Sequence, residues 1–296
     1  MQSKYEIRHS SGRVFVDAYM SESLGFSSRQ IKKLFKDKRV CINGKPAYRD
    51  EKVKDGDILE VDLPGDGRKD IVPEDIKLDI IYEDEYLLAV NKPPYMLVHP
   101  TPTHPTGTLL NGAANYFAEK GEEASLRLLN RLDMNTSGIV VIPKNGLVHG
   151  RLNEMMRAGR IKKFYTAVIE GIAEPEKGVI DKPIGKDEAD PIKRKVRSDG
   201  QQAVTVYDTL KKGKGYSLVR LELLTGRTHQ IRVHFSFLGH PIIGDTLYGR
   251  ESCIIGRQAL HASDMELAHP AGDSILKLHA ALPEDIRLLL SRLELE

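Results

Sequence analysis

The chain has 296 residues, enough for two domains or for one large domain with an appendage. Hydrophobic residues make up 40% and charged residues 29%, the profile of an ordinary soluble globular protein rather than a disordered or fibrous one. The formal net charge is only +2, so a polyanionic partner has to be argued from where the basic residues lie. Cys41 and Cys253 are far apart and outside any CxxC pairing, which argues against a disulfide framework and a cysteine zinc site. No run approaches the roughly 18 consecutive apolar residues of a membrane span, and MQSKYEIRHS has no apolar signal core. A cytoplasmic location without membrane association is therefore expected.

Residues 12–63 read as one small α+β unit. Ser27-Ser28 can cap a helix through Ile31, Leu34 and Phe35, whose i, i+3, i+4 spacing gives one apolar face. Its other face is basic, with Arg29, Lys32, Lys33 and Lys36 in a stretch that also holds Lys38 and Arg39 against Asp37 alone. The segment Arg39 to Ile42 then reads as a strand. Asn43-Gly44 and Asp55-Gly56, between apolar runs, are hairpin signals. The expected result is a helix pair on short strands with lysines exposed along the second helix. Pro64 to Asp70 follows as a linker, with nothing apolar to anchor it.

From about Leu78 strands predominate, at Asp79–Tyr82, at Tyr86–Val90 and at Phe164–Glu170. Between them, Asn130-Arg131-Leu132-Asp133-Met134-Asn135-Thr136-Ser137-Gly138 is a charged turn that runs into Ile139-Val140-Val141-Ile142. Four β-branched residues closed by Pro143 predict a short buried strand with a carboxylate at its mouth. An isolated Asp in such a run more often caps its own turn, so Asp133 becomes a candidate through its surroundings. Val148, Leu152, Met155 and Met156 predict a helix over 147–158 stopped by Gly159, and the methionines read as core. A second basic cluster, Lys193-Arg194-Lys195-Val196-Arg197, suits phosphates unless it is simply a charged loop. Late in the chain, Thr225-Gly226 is expected to open a helix with Ile231, Phe235 and Leu238 on one side, ended by Gly239 and Pro241. His229 and Arg232 would be neighbours bordering that stripe, and a guanidinium near a sheet end is a natural partner for a carboxylate at a strand mouth.

These residues resemble the RluA/RluD-type family of pseudouridine synthases over nearly the entire chain. The resemblance is carried, in order, by Val90-Asn91-Lys92-Pro93-Pro94-Tyr95-Met96-Leu97-Val98-His99-Pro100, by Arg131-Leu132-Asp133 with Thr136-Ser137-Gly138, by Lys163 to Gly171, and by Thr225-Gly226-Arg227-Thr228-His229-Gln230-Ile231-Arg232-Val233-His234. Residues 12–63, with Ser28 to Lys33 and Val40 to Gly44, are more loosely similar to an S4 RNA-binding module. The resemblance implies an α+β protein in three parts: an S4-like domain over 1–64, a linker over 65–76, and a catalytic domain over 77–296. That last domain would be a mixed, largely antiparallel β-sheet with flanking helices. It further implies Asp133 as the catalytic carboxylate, Tyr165 as the aromatic that stacks on the target uracil, and Arg232 as the ion-pair partner of Asp133. Arg131 would fill the gap left by the extruded base. Arg29, Lys32, Lys33, Lys36, Lys193, Arg194, Arg227 and His229 are candidates for holding RNA. Two departures, Asn130 in place of His and Tyr95 in place of Gly, bear on which RNA is accepted rather than on the chemistry.

Isomerising uridine breaks the N1–C1′ bond, turns the uracil over and joins C5 to C1′, with no redox change and no group donor. No cofactor and no metal are therefore expected, and no Gly-rich nucleotide loop or Cys/His ligand cluster stands in the sequence. An aspartate is ionised near neutral pH unaided, so Arg232 would supply placement and charge balance in a dry pocket. Direct attack on C1′ and proton abstraction leading to a glycal both fit these residue types. The expected partner is RNA, with large-subunit ribosomal RNA ahead of transfer RNA, no required protein partner, and a monomer as the default. Two other readings compete: a glycoside hydrolase, which needs a second carboxyl about 5 to 10 Å from the first, and an RNA-binding assembly factor without catalysis.

Overall fold

The computed structural model describes residues 2–8, 12–24, 26, 28–62, 71–272 and 274–296. The expected cap at Ser27 and the expected linker Pro64–Asp70 lie outside these residues. Among them no helix is long and apolar enough to cross a membrane.

The N-terminal part is built on a four-stranded sheet in the order Gln2–Glu6, Ile58–Asp62, Val40–Ile42, Lys45–Pro46. Two helices, Val16–Glu22 and Ser28–Lys36, bury Val16, Tyr19, Met20, Ile31 and Leu34 against it. The basic residues Arg29, Lys32, Lys33 and Lys36 are exposed, while Arg39 is held by Asp62 at 2.8 Å. Asn43 and Gly44 have φ of 51° and 76°, the two left-handed positions that a tight hairpin requires, and they join the paired strands Val40–Ile42 and Lys45–Pro46. Asp55-Gly56 makes no hairpin, because Lys52–Val53 pairs with Val14–Phe15 in a separate ribbon and leaves Ile58–Asp62 to the main sheet. A turn dipeptide signals a reversal without choosing the strand's partner.

The larger part is a nine-stranded sheet in the order Lys177–Asp181, Val204–Lys212, Tyr216–Leu223, Ile161–Glu170, Leu260–Ala268, Ser137–Pro143, Leu87–Lys92, Ile80–Glu83, with Ile275–His279 added alongside Leu260–Ala268. Every pairing is antiparallel except that of Leu260–Ala268 with Ser137–Pro143, which is parallel and covers only His261 with Ser137 and Ala262 with Gly138. Beyond that point, from Asp264 to Ala268, the same edge is taken by Ile275–His279. The sheet thus forks where Ser137–Pro143 begins, and the turn carrying Asp133 sits at that fork.

Ser137–Pro143 is buried along its whole length. Val140 and Ile142 join the core beneath the Leu109–Glu119 helix, whereas Ile139 and Val141 face Val148 and Leu152 of the Gly146–Arg157 helix on the opposite side. A strand covered on both faces reads as a continuous apolar run, which is why it was legible. Met155 and Met156 pack into the second core as expected. Leu147 departs from this pattern and enters the core of the N-terminal part. Nearby, Arg151 donates to the carbonyl of Leu24 at 2.5 and 3.2 Å and to that of Pro270 at 2.9 Å.

Gly138 has φ of 113°, and a Cβ there would run into the backbone of Ala262 across the parallel pairing. Gly138→Ala combines overpacking with a backbone conformation closed to L side chains, and it is expected to cost about 3 kcal/mol or more. Urea denaturation should show this as a lower midpoint at unchanged slope.

Candidate active site

Asp133 stands four residues ahead of Ser137, and its carbonyl accepts the Thr136 N–H at 3.0 Å. The turn is held from below by long-range polar groups rather than by its own side chains. Lys92, fully buried at the end of its strand, donates from Nζ to the carbonyls of Pro93, Met96 and Met134 at 2.8, 2.9 and 3.0 Å. Burial, and then the Arg257 guanidinium, pull the Lys92 ammonium down to about 7 against the opposing charge of Asp133. Its three acceptors match the three donors of the charged form. Arg257, also buried, donates to the Asn135 carbonyl at 2.9 Å while binding Asp285 at 2.6 and 2.9 Å. Gln258 Nε2 donates to Thr136 Oγ1 at 3.2 Å. The carboxylate of Asp133 is therefore aimed by backbone tied to two other segments of the chain.

Arg232 lies across from it. Its Nη1 donates to Asp133 Oδ2 at 2.9 Å, while Nε and Nη2 donate to Asp245 Oδ2 and Oδ1 at 2.7 and 2.8 Å. One guanidinium thus bridges a half-exposed carboxylate, 27% accessible, and a fully buried one. Burial works against the Arg232 charge, but Asp245 and then Asp133 outweigh it and raise its pKa. Asp245 Oδ1 also accepts the N–H groups of Leu247 and Tyr248 at 3.1 and 3.2 Å. Both of its oxygens are consumed, so this second carboxylate is not free to act as the acid or base that glycoside hydrolysis needs.

The Asp133 Oδ1 oxygen faces His229 Nε2 at 3.9 Å. His229 Nδ1 lies 2.8 Å from the Tyr248 hydroxyl, which already accepts the Arg194 backbone N–H at 2.8 Å. Burial lowers the His229 pKa, with the Asp133 charge opposing it. The Tyr248 ring also lies under Arg232, 5.1 Å from centroid to guanidinium carbon.

His229 does not lie on the helix as expected. The helix spans Gln230–Phe237, and His229 is its N-cap with φ of 58°. The Gln230 side chain explains the later start: its Oε1 accepts from Thr225 Oγ1 and from the Arg227 N–H at 2.8 and 2.9 Å, which folds Thr225–His229 back as a loop. Ile231 and Phe235 are buried as expected, but Leu238 is the exposed C-cap. Arg232 is buried rather than merely bordering the core.

Tyr165 is buried on the Ile161–Glu170 strand, and its hydroxyl makes no hydrogen bond among the described residues. A buried tyrosine kept only for packing usually finds a partner for its hydroxyl, and this one has none among the described residues. Burial, and then the charge of Asp133, push its pKa up. Arg131 is exposed beside Asp133, and Arg227 is exposed with Nε on the Gln202 carbonyl at 2.9 Å. The second basic cluster comes close through Arg194, but much of it is engaged locally. Arg194 Nη1 turns onto the carbonyls of Pro191, Ile192 and Lys193, Lys195 reaches Asp187 at 3.7 Å, and Arg197 is held by Asp199 and Glu188. Arg29, Lys32, Lys33 and Lys36 belong to the N-terminal helix and not to this cluster.

Sequence reasoning missed Asp245, Tyr248, Lys92 and Arg257. Lys92 had a signal, being a charged residue at the end of a strand that opens Leu87-Leu88-Ala89-Val90. The Asp after Gly244 reads only as a turn.

A family model described as RNA pseudouridylate synthase matches residues 86–237. The chain is 38% identical to an uncharacterized RNA pseudouridine synthase, YhcT, of Bacillus subtilis (strain 168), across 85% of this chain and 84% of that protein. It is 36% identical to the ribosomal large subunit pseudouridine synthase D of Yersinia pestis, across 91% and 87%. Its fold is similar to that of human RNA pseudouridylate synthase domain containing 4, with a TM-score of 0.61 at 27% identity, across 73% of this chain and 93% of that one.

Proposed function

We propose, from the premise that this chain belongs to the RNA pseudouridylate synthase family and is an isomerase acting on RNA, that Asp133 is its catalytic carboxylate and large-subunit ribosomal RNA its substrate. The observation that carries the reading is the division of labour around Arg232: it holds Asp133 through one oxygen and spends its other edge on Asp245. The second Asp133 oxygen is left at a partly open mouth, where a sugar carbon can be met.

A uridine must leave its stack before that oxygen reaches C1′, at about a few kcal/mol, least where it already lies in a loop. Stacking on Tyr165 contributes roughly 1 to 3 kcal/mol, enough to offset the extrusion. Arg131, exposed beside Asp133, occupies the space vacated in the RNA. In the isomerisation the N1–C1′ bond breaks, C5 bonds to C1′, the C5 proton leaves to solvent and N1 takes one up, so that no atom is gained or lost overall. Attack by Asp133 on C1′ and proton removal leading to a glycal each fit this geometry.

The ribosomal preference rests on the similarity to proteins named for the ribosomal large subunit and on the S4-like N-terminal unit. Tritium release from RNA labelled at uridine C5 tests it, with large-subunit RNA expected to release label and transfer RNA to release none. Release from transfer RNA alone would move the substrate. Mapping pseudouridines in cells that lack the protein would locate the target.

The exposed Arg29, Lys32, Lys33 and Lys36 are assigned to the RNA backbone. Replacing Lys32, Lys33 and Lys36 together by Ala should flatten the dependence of log K on log salt by about 0.7 for each phosphate no longer neutralised. The loss should be concentrated in KM. An unchanged slope would remove this helix from RNA binding.

A further inference from the structure

Lys92, Lys144 and Lys163 are the lysines buried among the described residues. Two of them have their charge matched by the protein: Lys92 by three carbonyls, and Lys144 by Glu83 and Glu122 at 2.8 and 2.9 Å. Lys163 is 8% exposed, yet its ammonium makes no hydrogen bond and no ion pair among the described residues. It is also absent from the enclosed polar atoms left without a partner, Ser125 Oγ, Asn135 Oδ1 and Thr209 Oγ1, so its tip keeps an opening to solvent. Burial withdraws part of the ammonium's hydration and lowers its pKa, and no protein group among the described residues compensates for it.

Its surroundings define what would satisfy it. Side chains alternate along Ile161–Glu170, so Lys163 shares the buried face with Tyr165 two residues on. The Lys163 Nζ lies 3.7 Å from the point that a Cβ on Gly226 would occupy, against the Thr225–Arg227 bend. After burial, the influence that lowers its pKa is the like charge of Arg227. Arg227 follows Gly226 directly, and neither it nor Lys163 makes an ion pair among the described residues, so the two like charges near this bend form a place for an anion.

We propose that Lys163, with Arg227 beside it, binds an RNA phosphodiester, the one adjoining the nucleotide whose base lies on Tyr165. This rests on the reading of Tyr165 given above. Residues i and i+2 of a strand stand about 6.6 Å apart, comparable to the span from a base to its own phosphate. The missing side chain at Gly226 leaves room for the phosphate oxygens, and a lysine serves such a group as a point charge.

The test compares the full-length protein with Lys163→Met and Lys163→Arg, using uridine-containing RNA for binding and turnover and thermal denaturation of the free protein. Lys163→Met should weaken RNA binding about ten- to a hundredfold, lower the salt slope by about 0.7 and raise the Tm of the free protein, since an unmatched charge has been removed. Lys163→Arg should recover much of the affinity. A lysine kept for structure predicts the reverse, a lower Tm with the salt slope unchanged, and that result would overturn the proposal. If the unmutated protein releases tritium while Lys163→Met keeps its affinity and slope, this inference falls and the enzymatic reading stands. If no tritium is released but the slope changes, the anion site stands and the enzymatic reading falls.

Discussion

Asp133→Asn is expected to remove tritium release from C5-labelled uridine in RNA, with a fall on the order of 10⁴-fold or more, while the protein remains folded. The loss is large because the amide keeps the shape of the carboxylate but can neither form a bond to C1′ nor take a sugar proton, so both routes are blocked together. The fold should survive for a reason visible in the pairing. Arg232 remains matched by Asp245, so no buried charge is left alone, and Asp133 itself is partly exposed. Stability should therefore stay within about 1 kcal/mol of the unmutated protein. The measurement pairs the release assay with a thermal melt, and substantial release from a folded Asp133→Asn protein would reassign the reacting group.

Arg232→Met should have the larger effect on stability. It strips the counter-charge from Asp245, which is fully buried and, among the described residues, hydrogen-bonds only the Leu247 and Tyr248 N–H groups besides Arg232. Breaking a buried pair by removing one partner typically costs about 3 to 5 kcal/mol, because the remaining charge is left uncompensated. Activity should fall as well, since Asp133 loses the donor that orients it. A second substitution separates the two effects. In the double variant Arg232→Met, Asp245→Asn, the buried charge is gone and the amide oxygen can still accept the two N–H groups, so most of the stability should return. Activity should not return, because nothing then holds Asp133. Denaturant midpoints for the single and double variants decide the matter, and a single variant as stable as the unmutated protein would mean that Asp245 does not depend on Arg232.

Several parts of the molecule are legible in the sequence because their causes are local. Ile139 to Ile142 reads as a two-sided buried strand from four β-branched residues in a row, and Asn43-Gly44 as a hairpin from its need for two left-handed residues. The Gly146–Arg157 helix follows from the spacing of its apolar side chains, although Leu147, which serves a different core, does not. The Gln230–Phe237 helix starts later than its residues suggest because a side chain inside it, Gln230, reaches back to the loop ahead and competes with backbone bonding. The pairing of Asp133 with Arg232 came through the resemblance of four ordered motifs, since no periodicity links residues so far apart in the chain.

What the chain by itself determined is the set of elements and the chemical types at their ends: a carboxylate before a buried strand, an arginine on a late helix, and a basic face on an early one. Each depends on neighbours within a turn or two, where steric preference and hydrophobic spacing leave a mark in the residue order. Only the tertiary structure decided that the sheet forks at Ser137, that one guanidinium bridges Asp133 and Asp245, that Lys92 and Arg257 hold the turn between them, and that Lys163 is buried without a match. Those arrangements are electrostatic and long-range. A charged side chain looks the same in the sequence whether it meets a carboxylate, a carbonyl, an RNA phosphate or water, and its partner is set by folding.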